Sequence, residues 1–142
     1  VDASDISIAA LNVARINAAR HRLGHRIRLA RSDLFERLEG ERYDLIVTNP
    51  PYVDARTLRG LPREYGYEPT NALAAGRDGL EFVRRILAQS RAHLAPRGLL
   101  VCEVGDARRA LERAFPLLPF AWPETSEPDA CVFVLEREQL PD

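Results

Sequence analysis

Apolar and polar positions along the chain follow two periods. Ile8, Leu11, Ala14 and Ala18 recur at helical spacing and predict an amphipathic helix from Ser7 to about His21. Ser7 suits its N-cap, Arg20, His21 and Arg22 suit its C-terminal end, and Gly24 is placed to close it. Ahead of it, Val1-Asp2-Ala3-Ser4-Asp5 reads as the end of a strand, with Asp5 at the tip. Arg26 to Ala30 is a short strand of alternating character, and Ser32-Asp33-Leu34-Phe35 follows at its tip. Tyr43 to Val47 is a short, mostly apolar strand. Asp78-Gly79-Leu80-Glu81 reads as a capping box with Asp78 as the cap. The helix it opens runs to about Leu94, buries Leu80, Val83, Ile86, Leu87 and Leu94, and stops at Pro96 and Gly98. Leu99 to Val104 is continuously apolar, as expected of a strand covered on both faces. Asp106 starts another helix that ends at Pro116. Pro119 to Trp122 and Cys131 to Leu135 predict two further strands, joined by a turn over Thr125 to Asp129. A join that short implies an antiparallel pair. The alternation of strands and helices predicts an α/β layered fold with a mostly parallel sheet and a C-terminal antiparallel hairpin.

Composition narrows the chemistry. The 142 residues are one domain's worth, and 46% are hydrophobic. Net charge is −1, so no basic excess exists to neutralise a phosphate backbone, which weighs against a nucleic-acid partner. All 20 basic side chains are arginine, which reads as genome composition rather than mechanism. Cys102 and Cys131 lie in apolar runs and read as reduced core residues, fitting a cytoplasmic protein. No Cys/His spacing suggests a metal, and no apolar run approaches 18 residues, so neither metal nor membrane is expected. His21, His25 and His93 have no carboxylate or serine partner pattern and read as surface residues.

The chemistry concentrates where the Tyr43–Val47 strand ends, at Asn49-Pro50-Pro51-Tyr52. Each proline fixes φ near −65° and removes an N–H donor, and each pushes the preceding residue out of the helical region. A planar carboxamide, backbone carbonyls outside any ladder and an aromatic ring then gather at a strand tip, where open α/β sheets bind ligands. The pattern suits transfer to a planar NH₂ group, whose delocalised lone pair makes it a poor nucleophile. The carbonyl oxygens of Asn49's side chain and Pro50's backbone can accept both N–H groups and draw that lone pair out of conjugation. Tyr52 can cover the flat face of the substrate and favour a nearby methylsulfonium cation. A proline-stiffened turn that merely closes a strand is the plainer alternative.

Asn49-Pro50-Pro51-Tyr52 after an apolar strand resembles the signature of S-adenosylmethionine-dependent amino-methyltransferases. The runs Ser32-Asp33-Leu34-Phe35, Leu61-Pro62-Arg63-Glu64-Tyr65, Glu68-Pro69, Ala72-Leu73, Gly76-Arg77-Asp78-Gly79-Leu80 and Glu103-Val104-Gly105 fall in the order of protein-glutamine methyltransferases. Together with the ending Phe133 to Leu140, they look most like the branch that methylates a glutamine of large-subunit ribosomal protein L-three. The sister branch, acting on peptide release factors, is the nearest competitor. The resemblance implies a Rossmann-like class I fold and S-adenosyl-L-methionine as cofactor. It implies catalytic roles for Asn49, Pro50, Pro51 and Tyr52. It makes Asp5 the ribose-binding carboxylate, against the alternative of an ordinary helix-start carboxylate. It puts Asp33 and Leu34 against the adenine, where Asp33 could equally cap a short helix from Leu34 to Leu38. Asn49 would also touch the cofactor, and Asn49, Pro50, Tyr52 and Glu68 would touch the substrate.

Val53 to about Arg77 has little regular patterning and is long for a connection, so a lid over the glutamine is expected there. Glu103 is expected to be nearly buried, where it could orient the active-site loop or bond local backbone, the structural role being favoured, and Trp122 is expected to pack. No glycine-rich loop precedes Val1, so residues 1–142 read as the C-terminal part of one catalytic domain, with its first strand and cofactor loop elsewhere. A chain without that strand is expected to be marginal alone. Two readings from other classes remain: a nucleic-acid adenine methyltransferase with a local basic face, and a non-catalytic fragment.

Overall fold

The structure, a computed structural model, describes residues 1–52, 75–76, 78–127 and 130–142. These fall into two compact units, Val1–Glu41 and Arg42–Asp142.

In the first unit, β1 (Asp2–Asp5) leads through α1 (Ile8–Arg20) to β2 (Arg28–Arg31), and the two strands pair in parallel from Asp2↔Arg28 to Asp5↔Arg31. This is the right length for a helical crossover between parallel neighbours. Ser7 caps α1 as expected, its Oγ accepting the Ala10 N–H at 3.3 Å. Gly24 does not close the helix. Arg22, at φ 57°, takes the left-handed position, and Leu23 N–H reaches back to the Ala18 carbonyl at 2.7 Å. The expected apolar stripe is only half used: Leu11 and Ala18 are buried, but Ile8 is 54% exposed, with Val13 and Ile16 similarly open. No helix forms over Leu34–Leu38. Leu34 sits at φ 48°, which an α-helix cannot accommodate, and the segment instead makes successive tight turns. Arg28 bridges Asp2 and Glu41, both at 2.8 Å, and the Asp2 bond chiefly raises its pKa.

In the second unit, β3 (Tyr43–Thr48) runs parallel to β4 (Leu94–Glu103), and β4 pairs antiparallel with β5 (Val132–Glu136), giving a mixed three-stranded sheet. The helix α2 (Glu81–His93) lies against β4, and Val83, Ile86 and Leu87 join Leu100, Cys102, Phe133 and Leu135 in the core. β4 begins at Leu94, directly after α2, so Pro96 and Gly98 lie inside the strand rather than in a loop. Proline is tolerated there because the β3–β4 register skips from Tyr43↔Leu94 to Leu45↔Leu99. A Cβ on Gly98 would stand 2.9 Å from the carbonyl oxygens of both Ala95 and Tyr43, so only glycine fits that irregularity.

The expectation that β4 is covered on both faces does not hold. Leu100 and Cys102 are fully buried, but Leu99 is 36% exposed and Val101 half-buried. Their partners across the register, Leu45 and Val47, are 53% and 69% exposed, so one face of this sheet is apolar and open. The capping box is not formed either. Leu80 is the N-cap of α2 with no side-chain cap, and Gly79 at φ 74° turns the chain between Asp78 and the helix. Asp78 accepts the Leu80 N–H and pairs with Arg84 at 2.6 Å, which lowers its pKa. Asp106 lies in a 3₁₀ turn, Gly105–Ala107, that leads into α3 (Arg108–Ala114).

The predicted strand Pro119–Trp122 is a single antiparallel bridge, Ala121↔Val134, because Pro119 and Pro123 have no N–H to extend a ladder. The turn expected over Thr125–Asp129 lies partly outside the described residues. Trp122 packs as expected: its ring is 5.7 Å from Phe120 and 5.9 Å from Phe133, with the Arg108 guanidinium 4.5 Å over it. The C-terminal segment is fastened to α2 by Arg91, which donates to the carbonyls of Leu140 (2.8 Å) and Arg137 (3.3 Å). His93, expected at the surface, is half-buried, whereas His21 and His25 are exposed.

Neither cysteine is in a disulfide. Burial, with the neighbouring Glu103 charge second, pushes the Cys102 thiol from 9.0 up to about 12. The thiolate is the reactive form, so its fraction near neutral pH falls by about 10³-fold. Cys102 should therefore resist iodoacetamide in native protein and react at the ordinary rate in denaturant, read by peptide mass; rapid native labelling would contradict the burial. No helix among the described residues is long and apolar enough to cross a membrane.

Candidate active site

Parallel β3 and β4 send their C-terminal ends out of the same edge of the sheet. The ladder between them ends at Thr48↔Cys102, so Asn49 onward has left it, as the two prolines require. Asn49 is exposed, and its carboxamide has no hydrogen-bond partner among the described residues. Pro50 beside it is buried and Pro51 half-buried, so a solvent-facing amide stands on a fixed turn. Tyr52 is half-buried. Its hydroxyl donates to Glu103 Oε1 at 3.4 Å, and its ring lies against Gly105 just beyond the end of β4.

Glu103 is half-buried rather than nearly buried. Its bond to Tyr52 matches the less favoured of the two roles expected of it, orienting the loop, whereas the contact of Gly105 with the Tyr52 ring was not expected. The available signal was Glu103-Val104-Gly105 at the tip of the strand neighbouring Asn49-Pro50-Pro51-Tyr52. Among the described residues no group of His, Cys, Asp and Glu could hold a metal.

In the first unit, Asp5 ends β1 and is exposed. Its Oδ1 accepts the Ser7 N–H at 2.7 Å, which fixes the carboxylate in an Asx turn. The helix-start role is therefore real, yet the second oxygen has no partner among the described residues. One free, oriented carboxylate oxygen beside a fixed one suits a vicinal diol. The Ser32 N–H donates to the Asp5 carbonyl at 3.1 Å, tying this tip to the next. Asp33 and Leu34 follow immediately, both half-buried, with Leu34 held at positive φ. Asp5, Asp33 and Leu34 are thus gathered at one end of the first unit, and Asn49 to Tyr52, Glu103 and Gly105 at one end of the second. The fit to a nucleoside is chemical: a carboxylate for ribose hydroxyls, and a second carboxylate with an aliphatic side chain for an amino-purine. Glu68 and the rest of the expected lid up to Ala74 lie outside the described residues.

The model of the methyltransferase small domain family matches residues 1–60. The chain is 54% identical over 140 residues to the ribosomal protein uL3 glutamine methyltransferase of Neisseria meningitidis, covering 99% of this chain and 46% of that protein. It is 50% identical to the protein of the same name from Bradyrhizobium diazoefficiens, covering 99% and 44%. The chain thus spans about half the length of these curated relatives. Among solved structures, a methyltransferase from Pyrococcus furiosus aligns with TM-score 0.65 at 17% identity, over 96% of this chain and 62% of that one. A ribosomal protein L11 methylase from Lactobacillus delbrueckii subsp. bulgaricus aligns with TM-score 0.63 at 18% identity, over 96% and 57%. The fold is that of class I methyltransferases, α/β with a mixed sheet.

Proposed function

We propose that this chain, a relative of the ribosomal protein uL3 glutamine methyltransferases, is the C-terminal part of a catalytic domain that methylates a glutamine side-chain amide of that ribosomal protein in the cytoplasm. The observation that carries the proposal is Asn49: an exposed carboxamide, without a hydrogen-bond partner among the described residues, on a proline-fixed turn at a strand tip, in a chain 54% identical to such an enzyme. S-adenosyl-L-methionine, when bound, supplies an electrophilic methyl group. Asn49 Oδ1 and the Pro50 carbonyl accept the two N–H groups of the substrate amide and turn its lone pair out of conjugation. Pro50 and Pro51 hold those acceptors still, so little reorganisation accompanies the reaction. Tyr52 covers the flat amide. Asp5 takes the ribose hydroxyls, Asp33 the adenine amine and Leu34 the adenine face, while Glu68 meets the protein substrate. No strong base is required, because the amide nitrogen becomes acidic once a fourth bond forms. Most of the acceleration comes from orientation.

Incubating the full-length parent protein and S-adenosyl-L-methionine separately with ribosomal protein uL3, a release factor and an adenine-containing duplex tests this. A single methyl on a uL3 glutamine, by intact mass and fragmentation, is expected. Methyl on the release factor would move the substrate, and methyl on the duplex would overturn the substrate class. No methyl on any of the three would leave the fold alone standing.

A further inference from the structure

We propose that Gly105, assisted by Glu103, is a positioning residue: it forms the seat that fixes the ring of Tyr52 at the methyl-transfer site. The role in catalysis rests on the function proposed above. The seat itself rests on geometry within the second unit. Gly105 is buried, at φ 46°. A Cβ built there would stand 2.8 Å from Tyr52 Cδ2 and 2.9 Å from Cζ, and closer still to Cε2. These atoms belong to a rigid aromatic plane, so no rotation of a flexible tail relieves the overlap; the whole ring must leave.

Nor can the seat yield. Val104 N–H donates to the Cys131 carbonyl at 2.8 Å, and Ala107 N–H donates to the Val104 carbonyl at 2.9 Å, so the backbone is held on both sides of Gly105. Val104 is itself fully buried. Glu103 supplies direction. At 3.4 Å its hydrogen bond from the Tyr52 hydroxyl is long, enough to bias the ring's orientation and too weak to anchor it alone. Tyr52 is thereby placed by a strand tip 51 residues further along the chain than its own turn.

A glycine kept only for its positive φ makes a different prediction. Asparagine tolerates that conformation far better than alanine. It would then be accepted at 105, and any loss on Gly105→Ala would be independent of residue 52. The test is a double-mutant cycle in the full-length parent protein, with Gly105→Ala, Gly105→Asn and Tyr52→Ala alone and combined. It is read twice: by kcat and KM for methyl transfer to uL3, and by the urea midpoint.

A seat predicts that either substitution at 105 lowers kcat by about 10²-fold, the scale of an ångström-sized misplacement, with KM for S-adenosyl-L-methionine changed far less. In the Tyr52→Ala background the same substitutions should cost at most about threefold, and their midpoint shifts should shrink likewise. Equal losses in both backgrounds, in either readout, would overturn the seat. For Glu103, the glutamine variant keeps the acceptor and should stay near wild type. Glu103→Leu should lose about two- to tenfold, and nothing further in a Tyr52→Phe background. If the wild-type protein transfers no methyl, the proposed function fails, and the urea cycle still scores the seat.

Discussion

Asn49→Ala, made in the full-length parent protein, should lower kcat for methyl transfer by about 10²–10³-fold, the loss seen when one preorganised polar group at a reacting centre is deleted. Its stability, read from the thermal midpoint, should change by no more than an ordinary surface substitution, about 0.5 kcal/mol. Both halves follow from the same observation: the side chain is exposed and its carboxamide is without a partner among the described residues, so alanine breaks no bond among them. The turn beneath it survives, because Pro50 and Pro51 fix the backbone whatever stands at 49. On the function proposed above, alanine removes the oxygen that would hold one N–H of the incoming amide. Without it the lone pair stays in conjugation and the nitrogen is mispositioned. Turnover within a few-fold of wild type would remove Asn49 from the machinery. A parallel collapse of the thermal midpoint would make it structural.

The isolated 142-residue chain should bind a hydrophobic dye and associate with rising concentration, without a sharp monomeric unfolding transition. Leu45 and Val47 stand 53% and 69% exposed on one face of the β3–β4–β5 sheet, and Ile8, Val13 and Ile16 are each more than half exposed on α1. Burying an aliphatic side chain of this size contributes about 1.5–3 kcal/mol, and domains are stable by only about 5–15 kcal/mol. Leaving several uncovered removes a large share of that margin and leaves apolar surface open on each unit. This is what one part of a longer catalytic domain would show. Val47→Lys should therefore make the fragment more soluble while destabilising the full-length protein. A cooperative, concentration-independent melt of the fragment, with no dye binding, would sink the proposal that the chain needs further sequence to complete its core.

Local chemistry made much of this fold readable. Ser7 before an apolar 3–4 repeat marks the start of α1, and the break at Asn49-Pro50-Pro51 marks the end of β3, because caps and prolines act within a few residues. The misreadings come from backbone states and distant partners that spacing does not carry. Asp78-Gly79-Leu80-Glu81 has the letters of a capping box, but Gly79 at φ 74° points the chain away from it. Pro96 looks like a helix stop, yet the register skip on β3 lets β4 start two residues before it. Leu99 to Val104 reads as a doubly covered strand because apolar letters do not say whether a neighbour is present to cover them. Asn49 to Tyr52 could be picked out by chemistry, and Asp5 by its place at a strand tip together with the family resemblance. Gly105 could not, since what makes it necessary is a ring brought from 53 positions earlier by strand pairing.

The stacking of Trp122 between Arg108 and the Phe120–Phe133 pair gives the protein a native optical reporter. It is the sole tryptophan, and all four tyrosines also follow Glu41. Intrinsic fluorescence excited at the indole band therefore watches the second unit and is blind to Val1–Glu41, whose aromatic complement is Phe35. Loss of β5 from the sheet would release Phe133 from the indole and redden its emission. Unravelling of the first unit would pass unseen by that channel and would surface instead in the far-ultraviolet dichroism of α1. A divergence between the two signals during denaturation would separate the unfolding of the two units without any label.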